Sequence, residues 1–400
     1  MESFFLAIAV LVGAALLIGI GFWIMRARYV KSLRDKGWEF NTSPDISITH
    51  GLNVPPFGMG FERKVDDQIL GTASDGTPFS AFEYTCDQWT TMGYAVRMPL
   101  GRSLRPAEVT SGQPQSAITG HTAAVGNMTA IAEDPNYATD LVEAALPALP
   151  GNGRVTVDHD SIVLTDAPKD ADALEAAIEA LARVRTALLA SPSAAVEGPP
   201  PLTHLSFFDR PDWVYIPRDD SFLGQVNYTG GGSDHEAHNI ITSFNDGLPF
   251  IRLTHRWTTT TTTTDSKGHT TTHTHHHKED LCEFRTSFPF REISFNWGLF
   301  GGGQRFEWER FNSRFKVRCD DPKFASDVVH QQQMEYLMRI DAPPFAVGHD
   351  GRIQVKMGGE WLPDNIDWMT YFLRGFFGHV PDFVWQRLGA WPRPIPELEA

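Results

Sequence analysis

The residues that come nearest to metal chemistry lie between Thr258 and His277, in the stretch TTTTTTTDSKGHTTTHTHHH. Threonine is β-branched and favours strands, and Asp265-Ser266-Lys267-Gly268 has turn composition. The stretch therefore reads as a long exposed hairpin continuing a preceding strand. Side chains alternate between the two faces of a strand, which puts His273, His275 and His277 on one face. Three imidazoles there could hold a divalent ion, Zn²⁺ or Ni²⁺, as a sensor or a peripheral trap. A structural or catalytic site also wants a fourth ligand and groups that orient the rings. The competing reading is a solvated, low-complexity loop.

Other candidate chemistry falls short on spacing. His235-Glu236-Ala237-His238 approaches the HExxH zinc motif, but its histidines stand three apart rather than four, so a glycine-flanked polar loop is expected. Gly230-Gly231-Gly232 and Gly301-Gly302-Gly303 lack the Lys-Ser/Thr of a phosphate loop. No G-x-S-x-G elbow occurs. Cys86, Cys282 and Cys319 form no CxxC pair and suggest neither a disulfide framework nor a cysteine zinc site. The pairs His159-Asp160 and His349-Asp350 are sequence neighbours whose side chains would point apart on a strand, so a turn role is expected for both. No catalytic or cofactor-binding residue follows from these patterns.

The elements that must carry these residues begin with an apolar run, Phe4 to Met25, long enough at ~1.5 Å per residue to span a bilayer. Trp23 ends it, and Arg26, Arg28, Lys31, Arg34 and Lys36 follow. The positive-inside rule then makes the run an uncleaved signal anchor: a single-pass helix in the inner or plasma membrane, N-terminus outside and the rest cytoplasmic. The bilayer is the expected partner of Phe4–Met25. Apolar residues make up 42% and charged residues 21% of the 400, an ordinary globular balance. A formal net charge of −15 argues against nucleic acid as a partner.

Four landmarks recur in the same order, which indicates an internal duplication. Trp38 corresponds to Trp213, and Asp75-Gly76-Thr77-Pro78-Phe79 to Asp246-Gly247-Leu248-Pro249-Phe250. The run Asp134-Pro135 through Val142 matches Asp321-Pro322 through Val329, and Val157-Asp158-His159-Asp160 matches Val347-Gly348-His349-Asp350. Each Asp-Gly step reads as the turn of a hairpin, and each Asp-Pro step as the capped start of a helix. A second hairpin is expected around His159-Asp160, and a closing helix over Asp170 to Ala190, with Asp364 to Phe377 as its counterpart. The expected fold is therefore α+β: one N-terminal transmembrane helix followed by two tandem, related domains of antiparallel sheet plus helices. Its expected bounds are an anchor over 1–27, a first repeat over 28–190, a Pro-rich linker over 191–203 (SPSAAVEGPPP over 191–201) and a second repeat over 204–400 carrying the Thr/His-rich hairpin insertion.

Phe306-Glu307-Trp308-Glu309-Arg310-Phe311-Asn312-Ser313-Arg314-Phe315-Lys316-Val317, continuing to Met334-Glu335-Tyr336-Leu337, resembles a bacterial, actinobacterial-type family of membrane-anchored proteins of unknown function. In that family an F-E run leads to F-x-V, an acidic turn, a helix and M-E-x-L. The resemblance implies an anchor plus a cytoplasmic module and assigns no activity. The expected function is a membrane-anchored binding or scaffold protein that holds an unknown protein partner at the inner membrane. The alternative is an enzyme or metal sensor whose site spacing alone does not reveal.

Overall fold

The structure, a computed structural model, describes residues 19–396 apart from 22, 91, 112, 113, 115–117, 150–152, 244–247, 265, 269, 299–301 and 357–359. Contacts divide the chain into two compact units, residues 1–211 and 212–400.

Most of the expected anchor, Phe4 to Ile18, lies outside the described residues. Residues 23–35 form a helix, α1, that docks on the first unit. Leu33 is fully buried, and the Tyr29 hydroxyl donates to that of Tyr94 at 3.1 Å. Two of the basic residues expected to signal topology have intramolecular partners: Arg26 pairs with Asp67 at 2.6 Å, and Lys36 with Asp172 and Glu175 at 2.7 Å each. Among the described residues no helix is long and apolar enough to cross a membrane. That finding overturns the single-pass, signal-anchored architecture and the inner-membrane placement expected from sequence. The α+β part stands, as helices with two antiparallel sheets.

In the first unit the strands are β1 (Glu39–Asn41), β2 (Lys64–Thr72), β3 (Pro78–Cys86), β4 (Trp89–Thr90), β5 (Tyr94–Ser111), β6 (His121–Val125), β7 (Met128–Ala132), β8 (Arg154–Ala167) and β9 (Leu205–Phe207). Strands β1 to β8 form one sheet in the order β1-β2-β3-β5-β7-β6, with β8 pairing along β5 and β4 along β3, and β9 lies outside it. Helix α2 (Pro135–Ala145) starts where Asp134 accepts the N–H groups of Asn136 and Tyr137, and α3 (Ala171–Ala190) where Asp170 does the same for Asp172 and Ala173. Leu141, Val142, Leu174, Ile178 and Leu181 of these helices are buried in one core with Val96, Val155 and Val157 of the sheet. The Pro-rich stretch after α3 is ordered: Pro192–Ala195 is a 3-10 turn with Ala194 fully buried, and the Gly198 N–H donates to Ser103 O.

The expected hairpin around His159-Asp160 is instead one long strand. β8 stays paired with β5 on both sides of a bulge at His159, whose φ is +55°. The bulge lets Asp158, fully buried, accept the N–H groups of Asn53 and Val54 while its other oxygen takes His159 Nδ1 at 2.8 Å. His159 thus pairs with the residue before it. Arg154 and the fully buried Glu108 form an ion pair at 3.2 Å under the same loop.

The second unit contains β10 (Arg210–Arg218), β11 (Ser233–Ser243), β12 (Phe250–Thr264), β13 (Thr270–Arg285), β14 (Ile293–Trp297), β15 (Phe315–Arg318), β16 (Phe345–Val347) and β17 (Arg352–Val355). These pair in the order β15-β14-β16-β17-β13-β12-β11-β10. Its helices are α4 (Glu309–Arg314), α5 (Pro322–Val328), α6 (Gln331–Arg339), α7 (Pro363–Gly378) and α8 (Asp382–Leu388). Asp321 caps α5 through the N–H groups of Lys323 and Phe324, as Asp134 caps α2. Here the second hairpin exists: β16 and β17 pair across a turn holding His349 and Asp350. Phe290, Phe295, Phe345, Phe376, Phe377 and Trp385 fill the core with edge-to-face and stacked ring contacts.

Candidate functional site

β12 and β13 pair without a shift from Phe250↔Phe284 to Thr264↔Thr270. A strand shows alternate residues on one face, so this register puts His255, Trp257 and Thr259 beside Glu279, His277 and His275. The third strand, β11, contributes His235 from an irregular stretch between Ser233 and Glu236. His235, expected in a polar loop, is thereby a strand residue turned toward its neighbours.

The rings form a row. His235 stacks on His255 at 5.1 Å and 8°, His255 on Trp257 at 4.7 Å and 17°, and Trp257 on His277 at 5.2 Å and 16°. The segment Tyr228 to Gly232 lies over the row. The Tyr228 ring sits 4.4 Å from that of His255. A Cβ on Gly230 would stand 2.7 Å from the Trp257 indole and 3.0 Å from His255, so this position requires glycine for close approach. Gly230 thus makes this segment a cover over the rings.

Hydrogen bonds thread the same rings. Glu279 accepts from the Thr229 N–H at 3.3 Å and the Thr229 hydroxyl at 3.2 Å, and its Oε1 lies 2.9 Å from His255 Nδ1. Burial pushes the Glu279 carboxyl up, but the bonds from His255 and Thr229 together hold it below its ordinary range. An ionised carboxylate only accepts, so His255 carries its proton on Nδ1 and presents Nε2 as an acceptor. His235 Nδ1, 2.9 Å from that Nε2, donates to it. The resulting chain is carboxylate, imidazole, imidazole, with His255 fully buried and His235 partly exposed.

A carboxylate-oriented histidine is also the base of a nucleophilic triad, but here the place a serine or cysteine would occupy at Nε2 is held by His235. The inner nitrogens are committed to each other. What faces outward is ring surface, on the half-buried Trp257 and the exposed His277. An open cavity of about 530 Å³ adjoins them, bordered by Asp234, Glu236 and Lys278. The bond from His238 and the nearby Arg218 hold the Glu236 carboxyl below its usual range, and bonds from Thr258 and Ser233 do so for Asp234.

Of the candidate ligands, His273, His275 and His277 are exposed at alternate positions of β13. His277 Nε2 lies 2.8 Å from the Thr259 hydroxyl. Among the described residues no three His, Cys, Asp or Glu side chains stand together as a metal-holding group. Glu236 and His238 of the near-HExxH run bond each other at 2.8 Å. The cysteines are separate: Cys86 is buried, Cys282 and Cys319 half-buried. Sequence reasoning missed His255, Glu279, His235 and Tyr228. The signal for the first two was available, since pairing Thr264 with Thr270 across the turn places residue 255 opposite 279.

No protein-family model matches the chain. No curated protein matches it. Among solved structures it is similar to the mycobacterial trehalose monomycolate transport factor A, TtfA, at 10% sequence identity and a TM-score of 0.33, over 41% of this chain and 93% of that one. A likeness at that score carries no argument.

Proposed function

We propose that this chain is a binding protein that receives an extended polypeptide segment along the open edge of β13. The observation that carries this reading is one of pairing. From Thr270 to His277 the strand is bonded to β12 on one side, whereas among the described residues β13 meets β17 only at Phe284 and Arg285. An edge strand with a free row of N–H and C=O groups is a template for an added strand, and proteins normally blunt such edges with proline, bulges or inward charges. Thr270–His277 holds no proline and no bulge. Strand addition supplies main-chain hydrogen bonds for affinity, while side-chain faces supply selectivity. Here those faces are Trp257, His277 and the acidic pair Asp234 and Glu236, and the Glu279-His255-His235 chain, buried at His255, holds the root of the ribbon rigid beneath them.

The test captures partners on the full chain and follows amide hydrogen exchange in the complex. Expected is slowed exchange across Thr270–His277 on binding, and loss of capture when Thr260–His275 is replaced by a short Asn-Gly turn. Captured partners that leave these amides unprotected, or that bind the shortened chain equally, would overturn the reading.

A further inference from the structure

A second cavity of about 530 Å³ opens on a different part of the second unit, between α4, α6 and the end of α7. Trp308 gives it ring surface, Arg310 and Arg339 give it positive charge, and Tyr336, His379 and Glu335 complete the floor and wall. We propose that this groove binds a small organic anion, a phosphate or carboxylate borne on an aromatic body.

The ring surface is fixed. Tyr336 is 4% exposed and its hydroxyl donates to Phe372 O at 2.8 Å, so it is packed floor, and the half-buried Trp308 is the ring surface a ligand meets. The Tyr336 ring stacks on the His379 imidazole at 4.7 Å and 26° and so fixes that side chain in the wall. Behind it Gly375 is held so close that a Cβ there would meet the Tyr336 hydroxyl oxygen at 2.0 Å, which locks the ring against α7. The tautomer of His379 is set as well. Its Nδ1 lies 2.6 Å from Gly375 O, and a carbonyl only accepts, so Nδ1 carries hydrogen and Nε2 is the ring atom left for a ligand.

The charge is uncommitted. Arginines around the groove are paired, Arg305 with Glu309 at 2.8 Å and Arg314 with Asp341. Arg310 and Arg339 have no carboxylate in ion-pair range among the described residues; Arg339 lies 6.0 Å from the Tyr336 ring centre. In a chain of net charge −15, two free guanidinium groups bordering one cavity form a local reversal of sign. Guanidinium groups match the fork of a phosphate or carboxylate, and the groove is within the range of about 300–1,000 Å³ typical of small-molecule sites. Glu335, one helical turn before Arg339 on α6 and accepting from Gln331 at 2.9 Å, puts one carboxylate on the same wall and leaves the two guanidinium groups in excess.

The test is calorimetric titration of the full chain with phenyl phosphate and, separately, inorganic phosphate. Expected is saturable binding of phenyl phosphate, about tenfold tighter than inorganic phosphate because the ring gains Trp308. Arg310→Gln and Arg339→Gln should each weaken it about tenfold with the melting temperature unchanged, and Arg339→Lys should weaken it less than Arg339→Gln. Replacing Thr260–His275 should leave this affinity unaltered, which separates the groove from the ribbon. No saturable binding of phenyl phosphate by about 10 mM, or undiminished binding in the folded Arg310→Gln/Arg339→Gln variant, would overturn the proposal.

Discussion

His255 Nδ1 and Glu279 Oε1, on directly opposed residues of β12 and β13, lie 2.9 Å apart with the imidazole fully buried. The pair makes stability depend on pH in a direction fixed by Glu279. Its carboxyl is held below the ordinary value of 4.5 in the folded chain, so the folded state binds fewer protons than the unfolded one in that range. The contribution is fully present above about pH 4.5 and is lost as pH falls through the lower, folded value. Glu279→Gln should remove this slope and cost about 1–3 kcal/mol near neutral pH, since His255 loses its charged acceptor. Urea unfolding of both proteins at about pH 7 and about pH 3.5 measures it, and a parent and variant with the same acid sensitivity would refute it.

Trp38 meets Phe79 edge-on at 5.3 Å and 83°, and Trp213 meets Phe250 at 5.1 Å and 75°. These are the residues matched between the two repeats expected from sequence, each pair joining the first strand region to the third. Trp38→Ala and Trp213→Ala should each cost about 3–5 kcal/mol, the usual range for emptying a buried aromatic site. Equal losses are expected because both indoles are buried, at 6% and 1% exposure. Thermal unfolding checks this, and a loss confined to one of the two variants would mean that the matched pairs do not do matched work.

The capped helix starts and the two Trp–Phe pairs were legible because their signals are local. An Asp-Pro step caps a helix wherever it stands, and a Trp and a Phe either side of a hairpin find each other without help from distant residues. The bulge in β8 was not legible, because His159 at positive φ is required by the loop that Asp158 anchors, some hundred residues earlier in the chain. The basic residues after Trp23 mislead for a related reason. Composition cannot tell an arginine that marks topology from one that pairs with Asp67. The ring row needed both a register and an irregular third strand, and only the register could be worked out from the turn.

Gly230 provides a third prediction. Its Cα packs so near the Trp257 indole that a methyl group would overlap it at 2.7 Å, and backbone and ring would both have to move. Gly230→Ala should therefore cost about 1–3 kcal/mol, the range for overpacking, and should loosen the bond from Thr229 to Glu279 next to it. Gly231, where an added Cβ meets nothing within 4 Å, is the control, and Gly231→Ala should be close to neutral. Melting of the two variants compared with the parent decides it; equal effects would show that the segment does not press on the rings.

The ribbon itself should contribute almost nothing to folding. Every residue from Thr260 to Thr264 and from Thr270 to His277 is exposed, so neither face buries much apolar area at ~25 cal/mol per Å². What holds it is the ladder with β12 and hydroxyl contacts such as Thr264 to Thr270 at 3.3 Å. Two strands without a third are marginal in water. Replacing Thr260–His275 with an Asn-Gly turn should then keep the melting temperature within a few degrees of the parent, because surface changes usually fall within about ±0.5 kcal/mol. The same pair of proteins tests the imidazoles. If added Zn²⁺ leaves both melting points alone, exposure of His273, His275 and His277 serves contact with a partner strand; a rise in the parent alone would make these three a metal site, and the open edge of β13 would then be the flank of that site and not a docking strand.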